Sequence, residues 1–236
     1  MRKRLLFCFL IILSFAAYSQ ERTLWDYPIK PEMKEWATFK TGEQMVKACQ
    51  IPLNILNAMS TRELVTVCLN YPLFNSYVAF NNEREGVRAI ILQFNGLKEL
   101  SQRKDGVQEL IKTYEEYPIL SQVQKDVTSK DYHIPYKLPF LELVLSDSIF
   151  LSQINSEELE GLRKIATNKY ADKLQNYEVY SLFNIKKTML LAAVIMDKQV
   201  ETGKSKEKRD VISDFIRNYN NLDANTLTEM SKIIAE

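Results

Sequence analysis

The sequence predicts an all-α protein, built either as stacked helical hairpins of the HEAT/armadillo kind or as an irregular helical bundle. Three observations predict it. Only 6 of the 236 residues are Gly, against an ordinary share of about 7%, so the left-handed turns of hairpin-rich β architectures are scarce. Apolar residues recur at i, i+3, i+4 and i+7 along most segments. Four of these segments open on Thr41, Ser60, Asp105 or Asn155, residue types that cap helix N-termini.

The chain opens on Arg2-Lys3-Arg4, an apolar run from Leu5 to Ala17, and Ala17-Tyr18-Ser19. A positive start, a short apolar run and a small-x-small site read as a signal peptide over residues 1–19, cleaved after Ser19. A retained anchor is the competing reading, but a membrane span needs ~20 apolar residues. Cys8 lies inside the apolar run rather than after the cleavage point, which argues against a lipoprotein. Residues 20–40 read as an extended N-terminal segment and 41–236 as a single all-α domain.

Thr41, with Gln44 three residues on, opens a helix to about Cys49, and Pro52 starts a short helical turn. Ser60 and Glu63 form a capping box ahead of Leu64, Val65, Cys68 and Leu69, and Pro72 stops that helix. Val87, Ile90, Ile91 and Phe94 mark the next, with Asn95-Gly96 as its end or a kink. Asp105 caps a helix carrying Val107, Leu110, Ile111 and Tyr114, which Pro118 stops. Residues 128–139, with Pro135 and Pro139, read as an extended loop, and 141–151 as helix. Asn155 and Glu158 open a long helix to about Leu174. In 178–198 the block Met189–Met196 is apolar on every side, the mark of a buried helix. Val211, Ile212, Phe215 and Ile216, then Leu227, Met230, Ile233 and Ile234, stripe the last two.

One internal match stands out. Residues 61–74 (TRELVTVCLNYPLF) and 107–120 (VQELIKTYEEYPIL) share Glu63/Glu109, Leu64/Leu110, Tyr71/Tyr117 and Pro72/Pro118 at a constant offset of 46. Helical repeats of the HEAT and armadillo kinds have periods of about 40–47 residues. Two copies fall short of an array, so both architectures stay open.

Composition excludes several functions. Of 31 Lys+Arg, the signal peptide takes Arg2, Lys3 and Arg4, leaving 28 against 30 Asp+Glu, a net charge of −2. The one dense basic cluster, Lys204, Lys206, Lys208 and Arg209, is interleaved with Glu201 and Glu207 and reads as a solvated loop. No nucleic-acid partner is expected. With His133 as the single histidine, no multi-histidine metal site is possible. Nucleotide-cradling glycine loops are missing as well. The sequence calls for no metal and no cofactor. Glu115-Glu116 and Glu157, Glu158 and Glu160 read as solvated or helix-capping acids. Cys49 and Cys68 make a disulfide possible in an exported chain, without requiring one.

The weak candidates for chemistry are His133 and Asp131, in the loop that also carries Tyr132 and Tyr136. Trp25, Tyr27 and Trp36, with Tyr132 and Tyr136, are candidate aromatic platforms for a sugar or other ligand. Tyr71, Tyr114, Tyr117, Tyr170 and Tyr180 read as packing residues.

The segments Met45–Pro52, Met59–Leu73 and Phe94–Arg103 resemble a family of exported bacterial all-helical proteins. Ser60-Thr61-x-Glu63-Leu64-Val65 followed by Leu69-Asn70-Tyr71-Pro72 is the specific part. The resemblance implies export and an all-α module. It carries no established activity, and the Asn-Cys-His-type motif of larger relatives is missing, so no catalytic role transfers. The expectation is therefore a non-enzymatic module that binds a protein or polymer in the envelope or outside the cell, with no stable membrane span after cleavage. The alternative is an enzyme acting on an envelope or extracellular polymer through the His133 loop.

Overall fold

The computed structural model describes residues 24–119, 134–199 and 206–236; the expected signal peptide lies outside them. The fold is all-α, with no strand among the described residues. In chain order the helices are α1 (Gly42–Ala48), α2 (Leu53–Ala58), α3 (Thr61–Leu69), α4 (Glu83–Gln93), α5 (Asn95–Leu100), α6 (Gly106–Glu116), α7 (Ile134–Ser146), α8 (Ser148–Leu151), α9 (Ser156–Gln175), α10 (Tyr177–Gln199), α11 (Lys206–Arg217) and α12 (Ala224–Ala235). Short 3-10 turns occupy Trp36–Thr38, Phe74–Ala79 and Tyr219–Asn221.

Caps set most of the early boundaries. The Thr41 hydroxyl accepts from Gln44 N at 3.3 Å, while the Gln44 side chain reaches back to Lys40 N at 2.6 Å. Pro52 stands just before α2 rather than in its first turn. The Ser60–Glu63 box closes in both directions, at 3.3 and 2.7 Å. It leaves Leu64, Val65, Cys68 and Leu69 buried along α3.

α4 ends at Gln93, just ahead of Asn95-Gly96 and close to the expected end or kink, and Asn95 starts α5. Phe94 adopts an extended conformation (φ −90, ψ 117). Asn95 then turns its amide onto Ile51, donating from Nδ2 to the carbonyl at 2.7 Å and accepting Ile51 N at 3.0 Å. Asp105 precedes α6 but its carboxylate caps nothing there; it accepts from Thr61 Oγ1 at 2.8 Å. Arg103 donates to the carbonyls of Leu56 and Met59 at 2.9 and 2.8 Å, satisfying the C-terminal end of α2. These bonds, with α3 packed on α5 and α6, set the triad α4–α6 against α1–α3. The sequence match between residues 61–74 and 107–120 thus falls on two helices in direct contact. Gly86 lets α4 lie on the Phe74–Ala79 turn: a Cβ there would stand 2.7 Å from Tyr77 O.

The second half winds around α10. Residues 134–139, read from the sequence as extended, are helical. Pro135 sits in the first turn of α7, where its missing N–H removes no helix bond. Pro139 does remove one, and the burial of Leu138, Phe140, Leu141, Leu143, Val144 and Leu145 holds the helix regardless. The helix expected over 141–151 is split at Asp147, whose carboxylate caps α8 by accepting Ile149 N at 2.9 Å. Asn155 and Glu158 form the expected capping box of α9. Met189–Met196 is buried throughout, packed among α7, α9, α11 and α12. Lys206, Lys208 and Arg209, expected in a loop, instead open α11; Lys204 lies outside the described residues. One buried apolar cluster runs from Tyr27 to Ile234 across both halves.

Candidate functional site

The residues singled out by sequence do not assemble into one site. His133, Asp131 and Tyr132 lie outside the described residues, as does the side chain of Tyr136. Tyr27 is buried, and its hydroxyl donates to Val67 O at 2.9 Å. Its ring packs near Tyr71 and Phe94. That placement withdraws Tyr27 as an exposed sugar platform and makes it the anchor of the N-terminal segment. Trp25 packs edge-on against Tyr27 at 4.7 Å, and Trp36 against Phe39 at 5.6 Å; both are half-buried on the core. Cys49 and Cys68 are free, buried thiols, and burial pushes both up, Cys49 to about 11. Among the described residues no three His, Cys, Asp or Glu side chains gather as a metal-binding group.

Sequence reading missed a charged cluster inside the core. Glu142 of α7 accepts from Tyr114 OH at 3.0 Å, Thr188 Oγ1 at 2.8 Å and Lys173 Nζ at 2.8 and 2.9 Å. The ammonium of Lys173 also lies 5.6 Å from the Tyr180 ring. Burial pulls Lys173 down, against the pull of Glu142 in the other direction. Nearby, Lys169 donates to Tyr117 O at 2.7 Å, and burial lowers it to about 8. A second pair joins Lys187 to Glu83 at 2.9 Å, with Tyr219 OH on the same carboxylate at 3.2 Å. Burial lowers Lys187 to about 8. The Glu142 cluster ties α6, α7, α9 and α10 together. Its oxygens are taken up by internal donors, so its role is architectural.

A cleft of about 1130 Å³ opens between α4, the α7–α8 junction, the start of α9 and the end of α10. Its cationic side chains are already committed. Arg88 holds Asp147 through two nitrogens at 3.0 Å and donates to Ser148 Oγ at 2.8 Å. Arg84 donates to Ile216 O, and Lys198 to Leu151 O.

The α9–α10 corner differs from both. Leu174, Tyr177, Val179, Leu182 and Phe183 are each 40–49% exposed. Over residues 165–185 the one exposed charged side chain is Glu178, while Lys169, Asp172 and Lys173 are buried. Three ionisable side chains thus face the core here, while five large apolar ones face solvent. Leu174, Tyr177 and Leu182 line a groove of about 290 Å³ floored by Tyr170, Ile185, Met189 and Leu227 of α9, α10 and α12, with Lys232 on its rim. Next to Leu182 in the chain, Ser181 adopts φ 56, ψ 166, a region nearly restricted to Gly. It is the one non-glycine residue with positive φ among the described residues. α10 also has the length and hydropathy to cross a bilayer, but 67% of its apolar window is buried inside the protein, as in a core helix.

The corner is the candidate binding site because its exposed apolar side chains adjoin a concave apolar surface. Compared with known proteins, the chain matches no family model, no curated protein and no solved structure.

Proposed function

We propose that this protein is an exported helical binding module, working in the cell envelope or outside the cell without chemistry of its own. The observation that carries the binding reading is the α9–α10 corner, where five large apolar side chains face solvent within ten residues. Soluble proteins expose contiguous apolar patches chiefly where something docks. The N-terminal Arg-Lys-Arg, apolar run and Ala-Tyr-Ser support export.

A photo-crosslinking residue placed at Leu182 tests the binding reading in living cells. Adducts are expected from position 182 and not from the exposed Lys164 on the middle of α9. Equal adducts from both, or none from 182, would overturn it. Mass spectrometry of the same samples tests export: the chain is expected to begin at Gln20 and to fractionate outside the cytoplasm. An intact Met1 in the cytosol would overturn that half.

A further inference from the structure

We propose that the occupant of the α9–α10–α12 groove is a second copy of this chain, an inference that rests on the binding reading above. The corner carries both halves of a contact. Leu174, Tyr177 and Leu182 line a hole, and Val179 and Phe183, on the same corner but outside it, serve as knobs 43% and 48% exposed, one face of the Phe183 ring resting on Lys187 Nζ. A two-fold axis beside such a corner seats each copy's knobs in the other's hole. This is the self-complementary arrangement that closes as a dimer.

The charges agree. Glu178 sits among the knobs and Lys232 on the rim of the hole. Two-fold pairing brings each Glu178 toward Lys232 of the other copy, so one corner supplies both partners of two ion pairs. Lys232 now pairs with Glu229 one turn away at 2.7 Å, with the lysine side chain 65% exposed; such surface pairs are weak and exchange readily. A lipid surface is a poorer match. Helical faces that lie on membranes are rich in Lys and Arg around their apolar residues, whereas this corner offers one acid and one base.

Sedimentation velocity of the purified protein over a range of concentrations tests the inference. A reversible monomer–dimer equilibrium is expected. Leu182→Asp should leave only monomer with an unchanged helical circular dichroism spectrum. Glu178→Lys and Lys232→Glu should each weaken the dimer about tenfold, and the two together should restore it. Because both charges are exposed, these variants keep the test valid should Leu182→Asp perturb folding. Crosslinks from position 182 should have the mass of two chains. A monomer at every concentration, with position 182 adducts to another molecule, would overturn the second copy and leave the binding reading standing. Monomers that co-sediment with anionic lipid vesicles would assign the groove to a membrane instead. A monomer with no adduct at all would overturn both.

Discussion

Lys173 and Glu142 form an ion pair 2.8 Å long in which both side chains are completely buried. Tyr114 and Thr188 donate to the same carboxylate, so four helices meet on one group. Breaking such a pair strands a charge. Lys173→Met or Glu142→Leu alone is expected to lower stability by about 3–5 kcal/mol. Replacing both together should cost well under the sum, since no charge then remains uncompensated. Urea unfolding of the four proteins in a double-mutant cycle reads this directly. Additive losses would show that the pair does not act as a unit.

Asn95 holds the two N-terminal triads in register through both ends of its amide on Ile51. Asn95→Ala leaves a buried N–H and C=O of Ile51 without partners and is expected to cost about 2–4 kcal/mol. Asn95→Asp keeps the shape and one bond but turns the donor into an acceptor facing a carbonyl, so it should cost at least as much. If Asn95→Asp were neutral in urea unfolding, the bridge to Ile51 O would not be a structural bond.

Helices were legible in the sequence where local rules decide them. The Ser60–Glu63 and Asn155–Glu158 boxes and the buried Met189–Met196 block depend on residues a few positions apart. What the sequence hid depends on partners far along the chain. Asn95 marks the break after α4, but nothing near it shows that its amide pairs with Ile51. Pro135 and Pro139 look like loop residues until burial of the surrounding leucines outweighs the lost bond. The α9–α10 corner was hidden most completely, because no local rule marks Leu174, Tyr177, Leu182 and Phe183 as exposed or Lys169 and Lys173 as buried. His133 and Asp131, which the sequence favoured for chemistry, lie outside the described residues.

The buried titratable groups set how stability varies in alkali. Lys169 and Lys187 are lowered to about 8 by burial, while an unfolded lysine titrates near ~10.4. Above pH 8 the unfolded chain therefore binds more protons than the folded one, and stability rises with pH from this source. Cys49 and Cys68 act in the opposite sense from about pH 9, because their raised thiols stay protonated only in the fold. The phenols of Tyr71, Tyr77, Tyr114 and Tyr219 are likewise pushed up by burial, and Tyr117 to about 12. Above pH ~10 each such phenol subtracts about 1.4 kcal/mol per pH unit. Urea midpoints from pH 7 to 11 should rise past pH 8, level off, and fall steeply above 10. Lys169→Met should flatten the rise, and tyrosinate absorbance should appear together with unfolding. A steady decline from pH 8 would contradict the lysine assignment.

Ser181 bears backbone strain in the α9–α10 corner, between Tyr177 and Leu182 in the chain. Its φ of 56 with ψ of 166 costs a residue with a Cβ on the order of 1–3 kcal/mol. Glycine adopts that conformation freely but adds unfolded-chain entropy worth about 0.5–1 kcal/mol. Ser181→Gly is therefore expected to stabilise the protein by about 1 kcal/mol net. Ser181→Val should destabilise it by a similar amount, because a branched side chain fits that region worst. Tyr177 and Leu182, on either side of Ser181 in the chain, line one groove. Ser181→Gly relieves the strain without forcing a different turn, so self-association should stay within about twofold of the parent while the urea midpoint rises. A Ser181→Gly protein less stable than the parent would mean that the serine is held by contacts worth more than the strain it carries.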